Sequence, residues 1–547
     1  MLTYIISSLV AVIVLTLFRI LYRRYASISI SKVPGPSGTW LFGRVTDLLR
    51  ADVGELQFEW QQQYGPVIQL KGPLGDDFLL ISDPKALQYI YQTSGYRFPK
   101  PPLTRIFLEV LSGKGLFWAA GENHRRQRKV VIPGLGVSET RAFTPIFFRT
   151  AAKMTSLWRD LVAESPLEDQ STIMDISSWA SRATLDAIGE AVFDYQFDAL
   201  DNSDNPLSNG FRNTFNDAFS KPTNIYLLAM TIFRMMPKWF VRMIIRDFPI
   251  SKLQRWRKAK DMTEDVARNF IREKAAALLE NKRSRDIMSL AVKANASTDA
   301  KTKLTDIELV AQLRNVIAAG HETTANSITW TLYEMACHPG YQETLRKEIH
   351  AKELEMRQRG DDVMTAQDLE SMQFLNAVIK ESLRFHPAVP IINRISTTDD
   401  VLPLSVPIAL TTGEVINELP IPKGQKIVAS IASYNRFKPI WGEDAHMFNP
   451  YRWFRPDDGT KGTTLGMYAN LMTFSAGLQG CIGWRIAILE LQAFLIELIG
   501  NFELTVTPKS DKVRRQASVI MYPVVEGERE KGTQLPLTVR AVSREEE

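Results

Sequence analysis

The stretch Phe474–Gln492, FSAGLQGCIGWRIAILELQ, constrains this chain more than any other. It holds one of only two cysteines in 547 residues and sets Gly477, Gly480 and Gly483 around it at three-residue spacing. It then runs at once into an apolar segment, Ile482–Ile499, that reads as a buried helix. A lone cysteine in apolar surroundings is ordinarily a small buried hydrophobe. Here the glycines remove side chains on both sides of Cys481, which lets a flat, bulky group approach the backbone closely. A sulfur at a helix N-terminus also meets unpaired N–H groups and the positive dipole end, which favour the thiolate. A thiolate facing a flat cofactor suggests a haem iron ligand.

The body that must house such a site reads as one large domain. With 45% hydrophobic and 23% charged residues the balance is that of a globular protein, and no Gly/Ser linker, repeat or long charge block divides it. A net charge of +5 is too mild to argue for nucleic acid. Cys337 and Cys481 are far apart and the six histidines are scattered, so neither a zinc cluster nor a disulfide framework is expected. Met1–Phe18 carries no charged side chain and is followed by Arg19, Arg23 and Arg24. Residues 1–25 are therefore expected to anchor the chain in a membrane, and the arginines on their C-terminal side leave the body in the cytosol. The sequon Asn295-Ala296-Ser297 is then a chance match. "VPGPSG" at Val33–Gly38 makes 26–45 a proline-rich hinge between the anchor and the body, 46–547.

Patterning along the body is mainly α with a minor β portion. "GPVIQLKG" and "DDFLLISDPKALQYIY" predict two strands and a helix, with Asp83 as cap and Pro84 in the first turn. Amphipathic helices are expected within 141–200, 255–280 and 305–336, and from Asp368 to Phe385. Short strands are expected over 387–432, "IPKGQKIVASI" being the clearest. The order is not βαβ, which argues against a Rossmann sheet.

Three further constellations carry chemistry. In "AAGHETTAN", Gly320 costs about 1 kcal/mol mid-helix and so implies a kink or a close neighbour. Glu322 and Thr323 then set an acid beside an alcohol, as a proton relay would, although a polar helix face has the same composition. Ala325 stands where a zinc protease needs its second histidine. In "KESLRFHPAVPIINR", Glu381 and Arg384 are i,i+3 neighbours among apolar residues, and "FNPYRWF" offers Arg452 as a further partner. "GENHRRQRK" is basic enough for a solvated face or for a cofactor with two carboxylates.

Together these residues resemble the cytochrome P450 family, the haem-thiolate monooxygenases; the anchor and hinge resemble its microsomal members, and the cysteine loop and the AGHETTA helix its fungal ones. Phe474, Gly477, Cys481 and Gly483 match its cysteine signature, and Ala319-Gly320-His321-Glu322-Thr323-Thr324 its oxygen-helix motif. Glu381 and Arg384 with Arg452 match its Glu-x-x-Arg element and third member, and Pro390 and Arg394 its Pro-x-x-x-Arg element. The resemblance implies a cytochrome P450 fold, with haem b held through Cys481 and oxygen inserted into a substrate C–H bond. It also implies electrons from NADPH through a membrane-bound cytochrome P450 reductase, at the endoplasmic reticulum membrane. Glu322 and Thr323 would deliver protons, while Glu381, Arg384 and Arg452 would be structural.

Two positions depart from the family: Gln479 stands for an arginine and His124 for a tryptophan, both expected at the haem propionates. Arg128 and Arg394 thereby become the main cations expected there. Arg125 and Arg126 are expected to help an acidic reductase dock. The substrate-contact regions map to Phe107, Leu116, Phe117, Ala319, Val389, Ile392 and Met521, largely apolar walls suited to a lipophilic terpenoid or steroid-like compound of secondary metabolism. The rivals are an isomerase or dehydratase on the same fold that needs no external electrons, and a non-catalytic haem-binding membrane protein.

Overall fold

The computed structural model describes residues 28–202, 222–250, 303–455 and 464–542 without a break, with scattered positions elsewhere. The expected anchor, apart from Val14, and the Asn295 sequon lie outside the described residues, as does most of the helix expected over 255–280. Among the described residues no helix is long and apolar enough to cross a membrane. The proline-rich segment is docked rather than free, because Gln69 N–H donates to the Pro34 carbonyl at 2.9 Å.

Strands β1 (Val67–Lys71) and β2 (Asp77–Ile81) form an antiparallel pair where the sequence predicts two strands. The buried Asp83 carboxylate then accepts from Ala86 N–H at 3.0 Å and caps the helix Pro84–Gln88. It also gathers the Ser405 N–H and hydroxyl, so one carboxylate ties the cap to a distant hairpin. A single π-type turn, Tyr89–Thr93, follows and carries Tyr91.

The helices around the centre are α1 (Pro102–Ser112), α2 (Gly121–Val131), α3 (Thr144–Ala163), α4 (Ile176–Phe193), α5 (Asp306–Cys337), α6 (Pro339–Gln358), α7 (Gln373–Phe385) and α8 (Trp484–Asn501). Helices α3, α4, α5 and α8 pack against one another and form the bulk of the core, with Trp158, Phe193, Trp330 and Phe494 fully enclosed. The helix expected from Asp368 is in fact two. It breaks at Met372, and the Glu348 carboxylate of α6 accepts from the Phe374 and Leu375 N–H groups at the start of α7.

Helix α5 begins with a capping box in which Thr305 and Glu308 satisfy each other's backbone N–H. It then runs 32 residues as one continuous helix. Gly320 is there for a close neighbour: a Cβ at this position would lie 2.8 Å from Ile188 of α4.

The minor β portion is larger than its sequence pattern predicts. β4 (Ile391–Ile395) and β7 (Lys426–Ser430) extend the first sheet in the order β1-β2-β7-β4, and β5 (Asp400–Ala409) pairs with β6 (Val415–Ile421). The unexpected strands are β3 (Ser171–Asp175), β8 (Phe502–Val506), β9 (Val513–Gln516), β10 (Tyr522–Val525) and β11 (Pro536–Ala541). β11 lies between β3 and β8, so a partner more than 350 residues away makes a strand of a five-residue segment.

Where α8 meets α5, the Glu490 carboxyl is fully buried and neither oxygen has a hydrogen-bond partner. The nearby Thr324 hydroxyl is committed to the Gly320 carbonyl at 2.9 Å. Desolvation holds the acid well above the carboxylate range, so it is buried neutral. The folded chain thus keeps a proton that the unfolded chain releases above about pH 4.3, and the group weakens stability as pH rises. Glu490→Gln has no proton to lose. It is expected to raise the urea midpoint at about pH 8 and by less at about pH 5; equal shifts at both would mean the carboxyl does not titrate as argued.

Candidate functional site

Cys481 sits three residues before α8, with its N–H donating to the Phe474 carbonyl at 2.8 Å. The side chain is accessible, yet desolvation raises its thiol above the ordinary range, while the Gly483 N–H and the Arg128 charge pull it back. A sulfur both reachable and starved of solvent lines a recess inside the body.

The three glycines of this loop do different jobs. Gly477 has φ +61 and lies against the Tyr91 carbonyl, which a Cβ would approach to 2.0 Å. Gly480 makes room for the Met467 thioether, whose sulfur a Cβ would meet at 2.7 Å. Only Gly483 opens onto space, so close approach of a flat group rests on that glycine rather than on all three.

Helix α5 is buried almost all round through its middle. The accessible positions there include Val316, Ala319, Gly320 and Thr323, an i, i+3, i+4, i+7 set on one face. That face is low and apolar, with one hydroxyl. Thr323 Oγ1 donates to the Ala319 carbonyl at 2.6 Å. Glu322 is turned off this face and buried, accepting from the Ser181 hydroxyl of α4 at 2.9 Å and lying 2.9 Å from His321 Nε2. The acid and the alcohol are sequence neighbours that face different ways.

Basic groups collect without acids beside the cysteine loop. Arg128 of α2 donates to the Gly480 carbonyl at 2.6 Å. Arg394 of β4 is buried; its guanidinium lies 5.0 Å from the centre of the Tyr91 ring and donates to the Asn393 carbonyl at 3.1 Å. His124 is buried with Nδ1 2.8 Å from the Tyr96 hydroxyl; burial, then the charges of Lys100, Arg128 and Arg394, push it down to about 4. It is neutral at physiological pH and contributes an N–H rather than a charge. Neither Arg128 nor Arg394 has a carboxylate partner among the described residues, and the buried Tyr91 hydroxyl and Gln479 Oε1 have no hydrogen-bond partner. One recess with a thiol in its wall and a cluster of unneutralised cations fits a planar metal cofactor that carries carboxylates.

Other predicted positions divide. Leu116 and Phe117 are half-buried beside α5, the Leu116 N–H donating to Gln312 Oε1 at 3.2 Å. Val389 and Ile392 are also half-buried, and Phe107 packs with Ile106 against Val241 and Ile245. Met521 does not fit a wall of the recess: its side chain is 1% exposed, and its backbone ties Ala388, Asn326 and Trp330 together. Arg126 does not fit a free docking surface either, since it forms a forked pair with Glu308 at the start of α5. Arg125 is exposed beside Glu122.

Glu381, Arg384 and Arg452 form one buried cluster, with Arg384 donating to Glu381 at 2.7 and 2.9 Å and Arg452 at 3.1 and 3.2 Å. Sequence reasoning missed Lys100 and Tyr96, whose place beside the recess depends on chain pairing rather than on a local pattern.

Comparison with known proteins agrees along most of the chain. The family model described as Cytochrome P450 matches residues 33–526. Cytochrome P450 monooxygenase 128 of Postia placenta is 33% identical over 538 residues, 95% of this chain and 94% of that protein. Cytochrome P450 monooxygenase 205 of the same fungus is 31% identical, covering 94% and 93%. Ganoderic acid synthetase CYP5150L8 of Ganoderma lucidum is 30% identical, covering 93% and 94%.

Proposed function

The chain belongs to the cytochrome P450 family, and on that premise we propose that it is a haem-thiolate monooxygenase acting on a lipophilic small molecule with O2 and electrons from NADPH through a reductase. One oxygen atom enters a C–H bond of the substrate; the other leaves as water, with two electrons and two protons consumed. The observation that carries the reading is the Cys481 sulfur in the wall of a recess whose cations lack acids.

Haem b, when bound, supplies the redox chemistry that activates O2. Cys481 would hold its iron, and Gly483 leaves the backbone open beside that sulfur. Arg128, Arg394 and the His124 N–H would hold its propionates, with Phe474 fixing the loop through the Cys481 N–H. On α5, the small Ala319 leaves room on the accessible face, and Leu116, Phe117, Val389 and Ile392 offer apolar surface to a terpenoid or steroid-like substrate. The name of the Ganoderma relative, a synthetase, favours a biosynthetic role.

Thr323 Oγ1 is the hydroxyl on the accessible face, and it can hand on a proton by turning from the Ala319 carbonyl. Glu322, held by Ser181 behind the helix, would reach that hydroxyl only through intervening water. Residues 1–25 would anchor the chain in the endoplasmic reticulum membrane, with the catalytic body, 46–547, in the cytosol.

NADPH oxidation by the full-length protein is expected to require both reductase and a lipophilic substrate, and to yield a hydroxylated product. Turnover without electrons would favour the isomerase or dehydratase reading, and haem binding without either would favour the non-catalytic one. Thr323→Ala is expected to leave substrate binding nearly intact while product per NADPH falls about tenfold or more and peroxide rises. Unchanged coupling would sink the relay role.

A further inference from the structure

We infer that Lys100 pairs with a haem propionate and supplies the positive charge that Gln479 does not. The assignment rests on the recess being the haem site. Lys100 lies between Pro99 and Pro101, and the segment is pinned to the sheet by the Ile395 N–H donating to the Pro99 carbonyl and the Thr397 N–H to the Arg97 carbonyl, both at 3.0 Å. Pro101, at φ −55, caps the start of α1. The backbone of Lys100 is thereby fixed beside that of Arg394, the residue before Ile395, and its charge acts on both Arg394 and His124.

Its surroundings are hostile to a cation. Lys100 is half-buried and forms no ion pair with any described residue. Burial, then Arg394 and Arg105, push its ammonium down to about 7, and it in turn presses on His124. A desolvated charge without a partner is costly, and several like charges together are more so. The Arg105 guanidinium is occupied by the Trp118 carbonyl at 3.2 Å and the face of its ring. Three cations, Lys100, Arg128 and Arg394, thus surround one recess with no described carboxylate among them. The arrangement is complementary to a ligand bearing two carboxylates. Where the family sets an arginine in the cysteine loop, this chain has a glutamine whose Oε1 is unpartnered. Lys100, far away in sequence, brings its charge to bear on His124 of that same cluster.

The test is haem transfer from the purified full-length holoenzyme to excess haem-free globin. Lys100→Met keeps the stem and loses the charge, and is expected to release haem about tenfold faster, whereas Lys100→Arg stays close to wild type. Adding Gln479→Arg to Lys100→Met is expected to restore slow release, because it returns a cation to the position the lysine covers. Recovery in the double variant separates lost charge from a damaged fold. Wild-type release rates in Lys100→Met would overturn the assignment, and failure of Gln479→Arg to rescue would overturn the exchange between the two positions. A wild-type chain that carries no haem would overturn the haem-thiolate reading itself, and Lys100 with it.

Discussion

Cys481→Ser is expected to abolish the red-shifted absorption of the reduced carbon monoxide complex and to leave no reductase-driven turnover. Serine matches cysteine in size, so the loop held by the Cys481 N–H bond to the Phe474 carbonyl has no steric reason to change. What changes is acidity and softness at one atom. A metal-bound thiol is deprotonated outright, and its electron donation is what favours O–O cleavage. An alcohol provides neither.

The chain has no reserve thiol. Cys337 ends α5, and burial with the Glu334 charge pushes it up to about 11. The burial that raises the Cys481 thiol sharpens the point, because a protonated sulfur in a dry wall is a poor ligand until the metal displaces its proton. A variant that kept the thiolate band would show that some other residue ligates the iron.

Much of this site was legible because its signals are local. Glycine spacing and the apolar run after Cys481 predict a loop opening a helix, and the first turn of α8 lies within two residues of its expected start. The Asp83 cap, the Lys426–Ser430 strand and α5 follow equally from nearest neighbours in the chain. Features set by distant partners were hidden. Nothing in "STIMD" distinguishes a strand from a loop until β11 arrives beside it. Lys100 looks like a surface residue between prolines until the Ile395 N–H binds the Pro99 carbonyl and sets it beside Arg394. Adjacency also misleads at Glu322 and Thr323, since consecutive helical residues point about 100° apart and only the threonine lies on the accessible face. Gly477 and Gly480 look like room for a cofactor but make room for Tyr91 and Met467.

The second large effect is expected at Glu381, far from any substrate. Its carboxylate is fully buried and accepts two hydrogen bonds from Arg384, two from Arg452, one from the Asn449 N–H at 2.8 Å and one from Trp453 Nε1 at 3.1 Å. Arg384 spends its remaining donors on the carbonyls of Asn435, Ala445 and Met447, while Arg452 reaches Trp441 and Asp444. Glu381→Gln conserves shape but leaves Arg384 without a carboxylate and presents an amide N–H₂ to donors. Breaking one partner from a buried ion pair costs about 3–5 kcal/mol, a large share of the roughly 5–15 kcal/mol by which proteins are stable.

The loss travels to the cysteine loop through named bonds. Asn435, whose carbonyl Arg384 holds, accepts from the Met472 N–H at 3.1 Å and donates to the Thr473 hydroxyl at 2.9 Å; that hydroxyl donates to the Leu383 carbonyl of α7 at 2.7 Å. Phe474 is the next residue, and its carbonyl holds Cys481. Glu381→Gln is therefore expected to lower the urea midpoint sharply and, in whatever folded protein remains, to speed haem loss to haem-free globin. An unchanged midpoint would show that the buried cluster does not hold the fold. A lowered midpoint with wild-type haem release would show that it holds the fold without steadying the Cys481 loop.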